Sequence, residues 1–202
     1  MTGVVVLGFG GQAHVVASIL ERTGVAIDGF FADSYGQTDD ETIGTHALKG
    51  TLDDGWLSNP RAMYVAIGDN DARRDLFLTA KQKGIALPPA IHPSAIVEES
   101  AHIDEGATIC AGAIICAEAW VGPGCIVNSG AIVEHECRIG GFSHLAPRSV
   151  VAGRTAIGER TFVGAGAVVA QTLTVGDAAI IGAGAVVLRD VEPGQRIVRV
   201  HH

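Results

Sequence analysis

The chain has 202 residues and a net charge of −8, and its hydrophobic fraction of 48% consists mainly of Ala, Val and Ile because aromatic residues contribute only 5%. The negative charge argues against a broad nucleic-acid surface, and no stretch approaches the roughly 18 apolar residues of a membrane span. The start lacks the basic region and cleavage site of a signal peptide, and the four cysteines show no CxxC spacing, so we expect a cytoplasmic protein with reduced thiols.

The first half of the chain alternates predicted strands and helices. The apolar run VVVLGF predicts a strand, and a helical pattern follows over about residues 12–22. IDGFF predicts a second strand that ends at Asp33, and MYVAIG predicts a third. DNDARRDLFLTAKQKG predicts a second helix that begins at a cap within residues 69–71 and ends at Gly84. LPPAIHPS fits neither element, so we expect an α/β domain over residues 1–88 that ends in a linker.

The glycine-rich turn GFGG, which includes Gly10 and Gly11, connects the first predicted strand to the first helix. In that context the free backbone N–H groups and the positive helix end favour a bound phosphate. Asp33 follows where an acidic residue commonly contacts a ribose. The pattern alone would indicate NAD, but Ala13 replaces the third glycine and only one mononucleotide-sized half precedes the next domain. A glycine turn that serves packing alone remains the alternative.

From Ile91 the sequence repeats every six residues through 17 consecutive hexads. Every first position is Ile, Val or Leu, and the fifth is Ala, Cys, Ser or Thr except at Leu173 and Val191. This pattern predicts a parallel β-helix of triangular cross-section over residues 89–202, with three hexads in each coil and between five and six coils. Residues 18 apart should then stack, so the glycine-rich segments VGAGAVV and IGAGAVV should form a surface with accessible backbone N–H groups.

The hexad VEHECR places His135 between Glu134 and Glu136. The residues 18 positions before and after the histidine are Ala117 and Gly153, which are small, so the imidazole has open space beside it as a ligand site requires. Either glutamate could raise the basicity of His135 by stabilising the imidazolium. A histidine that simply faces solvent on a charged turn is the alternative.

Several motifs occur in one order over nearly the whole chain: VVLGFGGQAHVV, FFADS, AIGDNDARR, IHPSAIV and NSGAIVEHECRIGGFSHLAP. Together they resemble the sialic-acid O-acetyltransferase and bacillosamine-pathway N-acetyltransferase family of hexapeptide-repeat acyltransferases. The resemblance implies a small Rossmann-like domain followed by a left-handed β-helix. It also implies a homotrimer that binds a nucleotide-linked amino sugar through the first domain and acetyl-CoA along the β-helix.

The same resemblance assigns roles to individual residues. It implies that His135 is the general base and that Glu136 orients it, with Glu134 as the second choice. His144 and Asn128 match family residues close to the reacting groups. The nucleotide sugar would lie near Gly10, Gly11, Asp33, Gly68 and Asn70. Acetyl-CoA would lie near Gly153, Gly164 and Ala183.

The expected activity is therefore direct transfer of the acetyl group from acetyl-CoA to the amino group of a nucleotide-linked amino sugar. O-acetylation of a sugar hydroxyl is the alternative within the same class, and a non-catalytic β-helix scaffold is an alternative from another. A metal-dependent hydratase is the remaining alternative, because some β-helices of this type are carbonic anhydrases. It would need zinc ligands among His92, His102, His135 and His144, and since three converging ligands are not evident we expect no metal.

Overall fold

The computed structural model describes residues 3–32, 42–51 and 61–198, which form an α/β domain followed by a parallel β-helix. Asp33, an expected contact of the nucleotide sugar, lies outside the described residues. Within these three ranges, neither helix has the length and hydropathy needed to cross a membrane.

The α/β domain contains a five-stranded sheet with two helices. Its elements in chain order are β1 (Val4–Leu7), α1 (Gly11–Arg22), β2 (Ile27–Phe31), β3 (Thr42–Ile43), β4 (His46–Gly50), β5 (Met63–Val65) and α2 (Asn70–Gln82). The strand order is β3-β4-β2-β1-β5, and all neighbouring pairs are parallel except the hairpin β3–β4. The hairpin was not predicted, because its strands, with the sequences TI and HALKG, lack the apolar run that marks the other strands.

Both helices begin and end as their sequences predict. Helix α2 is capped by Asp69, whose carboxylate accepts a hydrogen bond of 2.9 Å from the Ala72 amide. Gly84 follows the helix with a φ of +72°, a conformation that glycine adopts without strain. Helix α1 instead begins at Gly10 without any side-chain cap, which leaves its first amides open.

The β-helix consists of two-residue strands that stack into three flat sheets. Sheet I contains β6 (Ala90–Ile91), β9 (Thr108–Ile109), β12 (Ile126–Val127), β15 (His144–Leu145), β18 (Phe162–Val163), β21 (Ile180–Ile181) and β23 (Arg196–Ile197). Sheet II contains β7 (Ile96–Val97), β10 (Ile114–Ile115), β13 (Ile132–Val133), β16 (Val150–Val151), β19 (Val168–Val169) and β22 (Val186–Val187). Sheet III contains β8 (His102–Ile103), β11 (Trp120–Val121), β14 (Arg138–Ile139), β17 (Ala156–Ile157) and β20 (Thr174–Val175). The first strand, β6, lies within the segment that the sequence indicates as a linker.

The hexad positions explain this architecture. First-position and fifth-position residues fill the interior, which is a continuous cluster of buried aliphatic and small side chains. The fourth-position residues from Gly106 to Gly184 turn the corners in the left-handed region of φ, even where they are not glycine. These non-glycine residues are Glu118, Glu136, Phe142, Arg148, Arg154, Arg160, Thr172 and Ala178. Stacked strands pair with those 18 residues away, as Val163 does with Ile181.

Fifth-position thiols and hydroxyls satisfy carbonyl groups of the next coil. The Cys125 thiol donates to the Gly140 carbonyl at 3.0 Å, and the Ser143 hydroxyl donates to Gly158 at 2.7 Å. Cys137 makes the equivalent contact at another corner. All four cysteines are free thiols, and three of them, Cys110, Cys125 and Cys137, are buried, whereas Cys116 is partly exposed.

The outer faces of sheets II and III differ in polarity. Since alternate residues of a strand point to opposite faces, the sixth-position residues point outwards. On sheet II they form an aliphatic ladder: Ile96, Ile114, Ile132, Val150, Val168 and Val186. Val186 is 61% exposed and Ile96 is 55% exposed. On sheet III the corresponding row is mostly polar or aromatic and includes His102, Trp120 and Arg138.

The α/β domain packs against the corner between sheets III and I. The rings of Phe77 and Phe142 meet edge to face with their centroids 5.2 Å apart. Lys81 forms an ion pair with Glu105 at 2.6 Å. Helix α2 therefore supplies both an aromatic contact and an ion pair to the junction of the two domains.

Candidate active site

His135 and Glu136 form a corner between sheets II and III. The Glu136 carboxylate lies 3.0 Å from Nδ1 of His135 and accepts a second hydrogen bond of 2.9 Å from Nε of Arg154. The bond from Arg154, and secondarily that from His135, lowers the pKa of Glu136 below its usual value. Glu136 is thus a carboxylate that can only accept, so a neutral His135 carries its proton on Nδ1 and leaves Nε2 as the base.

The structure brings His135 into contact with Glu136 rather than with Glu134. Glu134 lies beside the thiol of Cys116, where burial and then this carboxylate raise the pKa of the thiol. Arg154 was not among the residues proposed from the sequence for this site. Its spacing of 18 residues from Glu136 is the signal that could have identified it, because residues at that spacing stack.

Gly153 lies directly against the reactive edge of the imidazole. A Cβ atom at this position would be 2.6 Å from Nε2 of His135 and 2.7 Å from Cε1. Only glycine leaves the ring where it is, because both distances are well inside van der Waals contact. The Gly153 carbonyl accepts from Thr172, whereas its amide has no partner within the ranges that the structure covers.

His144 and Asn128 contact each other on the outer face of sheet I. Oδ1 of Asn128 accepts from the Ser129 amide, so its Nδ2 donates to Nε2 of His144 at 3.1 Å. Burial, with a smaller contribution from Arg73, lowers the pKa of His144 to about 4, and the Gly68 carbonyl opposes this shift. His144 is therefore neutral at pH 7 and suits positioning better than proton transfer.

The two histidines do not share a site within one protomer. Each coil runs from sheet I through sheet II to sheet III, and His135 lies at the corner between sheets II and III. That corner is opposite sheet I, which carries His144 and Asn128. The sequence-based site is thus divided between two sides of the prism.

A cavity of about 490 Å³ lies at the carboxyl end of the parallel sheet of the α/β domain. Its walls come from residues 8–12, at the open start of α1, from residues 66–69, which follow β5, and from Ala32, which follows β2. Added Cβ atoms at Gly10, Gly11 or Gly68 would meet no other atom within 4 Å, so the backbone faces open space. Such a turn can hold an anion by its amides.

Two polar side chains near this cavity differ from expectation. Asn70 does not line this cavity but lines an adjoining cavity. Its side-chain amide connects the two domains, because its oxygen accepts from Arg73 and its nitrogen donates to the Arg160 carbonyl. Gln12 lines the cavity, and its buried Nε2 has no hydrogen-bond partner among the described residues. Sequence reasoning gave Gln12 no role, although a buried donor without a partner is costly and suits a ligand acceptor.

The residues expected beside acetyl-CoA fall at two different corners. Gly164 packs so closely on the next coil that a Cβ would be 2.5 Å from the Ala183 amide nitrogen, at the corner between sheets I and II. Gly153 belongs to the opposite corner of sheet II. The expected exposure of backbone donors is only partly correct, because the amides of Gly164 and Gly184 hold adjacent coils together. The Ala183 amide makes no such bond to any described residue.

The four histidines considered for zinc lie apart. His92 contacts Ser94 and His102 contacts Asp104, while His135 and His144 have the partners given above. Across residues 3–32, 42–51 and 61–198, no three His, Cys, Asp or Glu side chains converge as metal ligands would.

The chain was compared with known proteins. Residues 3–79 match the family of the PglD N-terminal domain. A histidine-to-asparagine mutant of perosamine N-acetyltransferase from Caulobacter crescentus, solved with CoA and GDP-perosamine, is 37% identical over 98% of this chain and 93% of that one, with a TM-score of 0.91. The acetyltransferase domain of PglB from Neisseria gonorrhoeae FA1090, solved with acetyl coenzyme A, is 32% identical over 98% and 96%, with a TM-score of 0.89.

A third structure, WeeI from Acinetobacter baumannii AYE, has a TM-score of 0.87 over 98% of this chain and 97% of that one. At 23% identity it supports the fold alone. The comparison with curated protein sequences gave no match.

Proposed function

The chain belongs to the family of sugar N-acetyltransferases that join a PglD N-terminal domain to a left-handed β-helix, and we propose that it transfers acetyl from acetyl-CoA to the amino group of a nucleotide-linked sugar. The observation that carries this proposal is the contact of 3.0 Å between His135 and Glu136, with Nε2 held over Gly153. It supplies a base with a defined tautomer beside an unobstructed backbone.

In the proposed reaction the amine of the sugar attacks the thioester carbonyl, and a C–N bond forms as the tetrahedral intermediate appears. Nε2 of His135 takes the proton that the amine loses, and Glu136 stabilises the imidazolium through Nδ1–H. When the C–S bond breaks, the imidazolium can return the proton to the departing thiolate of CoA. The chain supplies no covalent nucleophile in this scheme.

Gly153 has a second proposed role, because its amide is available beside the base. A backbone N–H is a suitable donor for the oxygen of the tetrahedral intermediate, which becomes negative only during the reaction. The glycine therefore combines two requirements in one residue. It leaves room for the ring of His135, and it offers a donor that needs no side chain.

The nucleotide part of the acceptor fits the cavity of the α/β domain. The open amides at the start of α1 face this space at Gly10 and Gly11, as a phosphate site requires. The PerB structure from Caulobacter crescentus, solved with CoA and GDP-perosamine, makes a GDP-linked amino sugar the first acceptor to test. We keep Asp33 as a proposed contact of the same ligand.

We further propose a homotrimer in which each site is shared. The aliphatic ladder of sheet II is a long apolar surface that a soluble monomer would have to expose. If three such sheets face a common axis, the His135 corner of one protomer lies beside sheet I of the next. His135 and Gly153 from one chain would then face His144, Asn128, Gly164 and Ala183 from its neighbour, with acetyl-CoA between them.

We also propose that the protein works in the cytoplasm. Its four cysteines are free and three of them are buried, which suits a reducing compartment.

The direct test measures release of free CoA from acetyl-CoA in the presence of GDP-perosamine and of other GDP-linked and UDP-linked amino sugars. We expect saturable release with at least one of them and a product acetylated on nitrogen by mass spectrometry. Release that requires only a sugar hydroxyl would favour O-acetylation instead. No release with any acceptor would leave the β-helix without the proposed activity.

A further inference from the structure

Arg73, on helix α2, is the most deeply buried charged side chain of the described residues, with 1% of its surface exposed. Among the described residues its guanidinium has no hydrogen-bonded carboxylate and is bound almost entirely by backbone oxygens. Nε donates to Gly124, Nη2 donates to Phe142 and to Oδ1 of Asn70, and Nη1 donates to the carbonyls of Ile67, Gly68 and Asp69. These distances range from 2.7 Å for Gly124 to 3.2 Å for Asp69.

Burial lowers the pKa of Arg73 to about 10, so the side chain is still a cation at neutral pH. Burying an unpaired charge is costly, and apolar residues would join the two domains at a lower cost, as Phe77 and Phe142 do beside it. The guanidinium differs from such contacts in one respect. Its rigid planar fork constrains the direction of the carbonyls that it binds, and at Asp69 it adds to the backbone bond of 3.0 Å from the Arg73 amide.

The three carbonyls bound by Nη1 belong to consecutive residues in the wall of the nucleotide cavity. In a trans peptide group the N–H points opposite to the C=O, and no peptide bond here is cis. If the carbonyls of residues 67–69 point towards Arg73, the amides of residues 68–70 point away from it. Residues 67–69 line the cavity whereas Arg73 does not. None of these three amides has a hydrogen-bond partner in the described ranges.

We propose that Arg73 is a positioning residue that turns three successive N–H groups, those of Gly68, Asp69 and Asn70, towards the cavity as a binding site for the diphosphate of a nucleoside diphosphate. Successive amides that converge in this way form a nest for anions. They face the cavity together with the open start of α1 at Gly10 and Gly11. The carboxylate of Asp69 caps α2 through Ala72, which keeps one of its oxygens occupied. The inference rests on the proposed function for the identity of the ligand.

The test compares Arg73→Lys and Arg73→Gln with Arg74→Ala, a matched control on the next residue of the same helix. Arg74 is exposed and pairs only with Asp75 among the described residues. Calorimetry would measure binding of GDP, GMP, UDP, UMP and CoA at a temperature where circular dichroism shows each variant folded. We expect wild type to bind at least one diphosphate more tightly than its monophosphate. Both Arg73 variants should reduce that preference by about tenfold, because the charge-assisted hydrogen bonds that orient the peptide groups are lost. The affinity for CoA should not change.

Other outcomes are equally informative. Variants that melt earlier but keep the preference for the diphosphate would show that Arg73 only stabilises the fold and would overturn the proposal. Equal loss for all ligands would overturn it as well. If neither variant folds, wild-type protein labelled with ¹⁵N on glycine and asparagine must show shifts of the Gly68 and Asn70 amides on addition of GDP or inorganic pyrophosphate, and unmoved signals refute the nest. Because these measurements need no turnover, failure of the acetyl-transfer proposal would remain separate.

Discussion

Replacing Gly153 with alanine is the sharpest test of the base. The added Cβ would lie 2.6 Å from Nε2 of His135 and 2.7 Å from Cε1, whereas unbonded heavy atoms approach to about 3.5 Å. The imidazole must therefore move by about 1 Å. It can do so, because half of its side chain faces solvent. The strain of such a shift is about 0.5–1.5 kcal/mol, so the protein should remain folded and melt only a few degrees earlier.

The effect on catalysis should be much larger than the effect on stability. A displacement of about 1 Å at a reacting group costs on the order of 10²-fold in rate. We therefore expect kcat for CoA release to fall by about two orders of magnitude in Gly153→Ala. Glu99→Ala is the matched control, since it also places alanine at a third hexad position of this corner, two coils away from His135. A kcat within about threefold of wild type for Gly153→Ala would refute the placement of Nε2 at the reacting amine.

Three further predictions address the base, the shared site and pH. His135→Ala should lower kcat by about 10²–10⁴-fold while calorimetry still detects acetyl-CoA binding, and near-normal turnover would remove His135 as the base. Ile132→Asp, in the aliphatic ladder of sheet II, should convert the proposed homotrimer to monomers in analytical ultracentrifugation and abolish activity. His135→Ala chains and His144→Ala chains should each be inactive alone, but mixed trimers from their co-expression should regain part of the activity. A mixture without recovery would mean that the site is not shared. The pKa of His144 is about 4 when folded and about 6.5 when unfolded, so the unfolded chain binds the proton first. Stability should therefore be complete above about pH 6.5 and fall by on the order of 2–3 kcal/mol towards pH 4. Urea unfolding of His144→Gln should show a weaker loss over that interval, and an identical loss would assign it to other groups.

The period of six residues was enough to predict the β-helix, because one strong repeat determines which residues are buried, which turn and which stack. Val163 pairs with Ile181 as that period requires. The hairpin β3–β4 was missed because strands of two and five residues with mixed composition carry little periodicity. Pairing with β2 places it in the sheet, and that contact is not visible in its own sequence.

The division of the site between two sides of the prism follows from the spacing of its histidines. His135 and His144 are nine residues apart, which is half of an 18-residue coil, so they must lie on opposite sides. Arg73 is a different case. Its partners Gly124 and Phe142 are 51 and 69 residues away in the chain, and no spacing rule connects a helix of one domain to those carbonyls.

The native cysteines also have a practical consequence for labelling chemistry. Alkylating reagents react with the thiolate, and burial raises the pKa of Cys110 and Cys125 to about 12. Burial also raises the pKa values of Cys116 and Cys137, and the thiol of Cys137 donates a hydrogen bond to a neighbouring carbonyl. Chromogenic disulfide reagents should therefore react faster with the thiol of released CoA than with the thiols of the protein. A single cysteine introduced on the surface would accept a fluorophore or spin label in the otherwise unmodified chain.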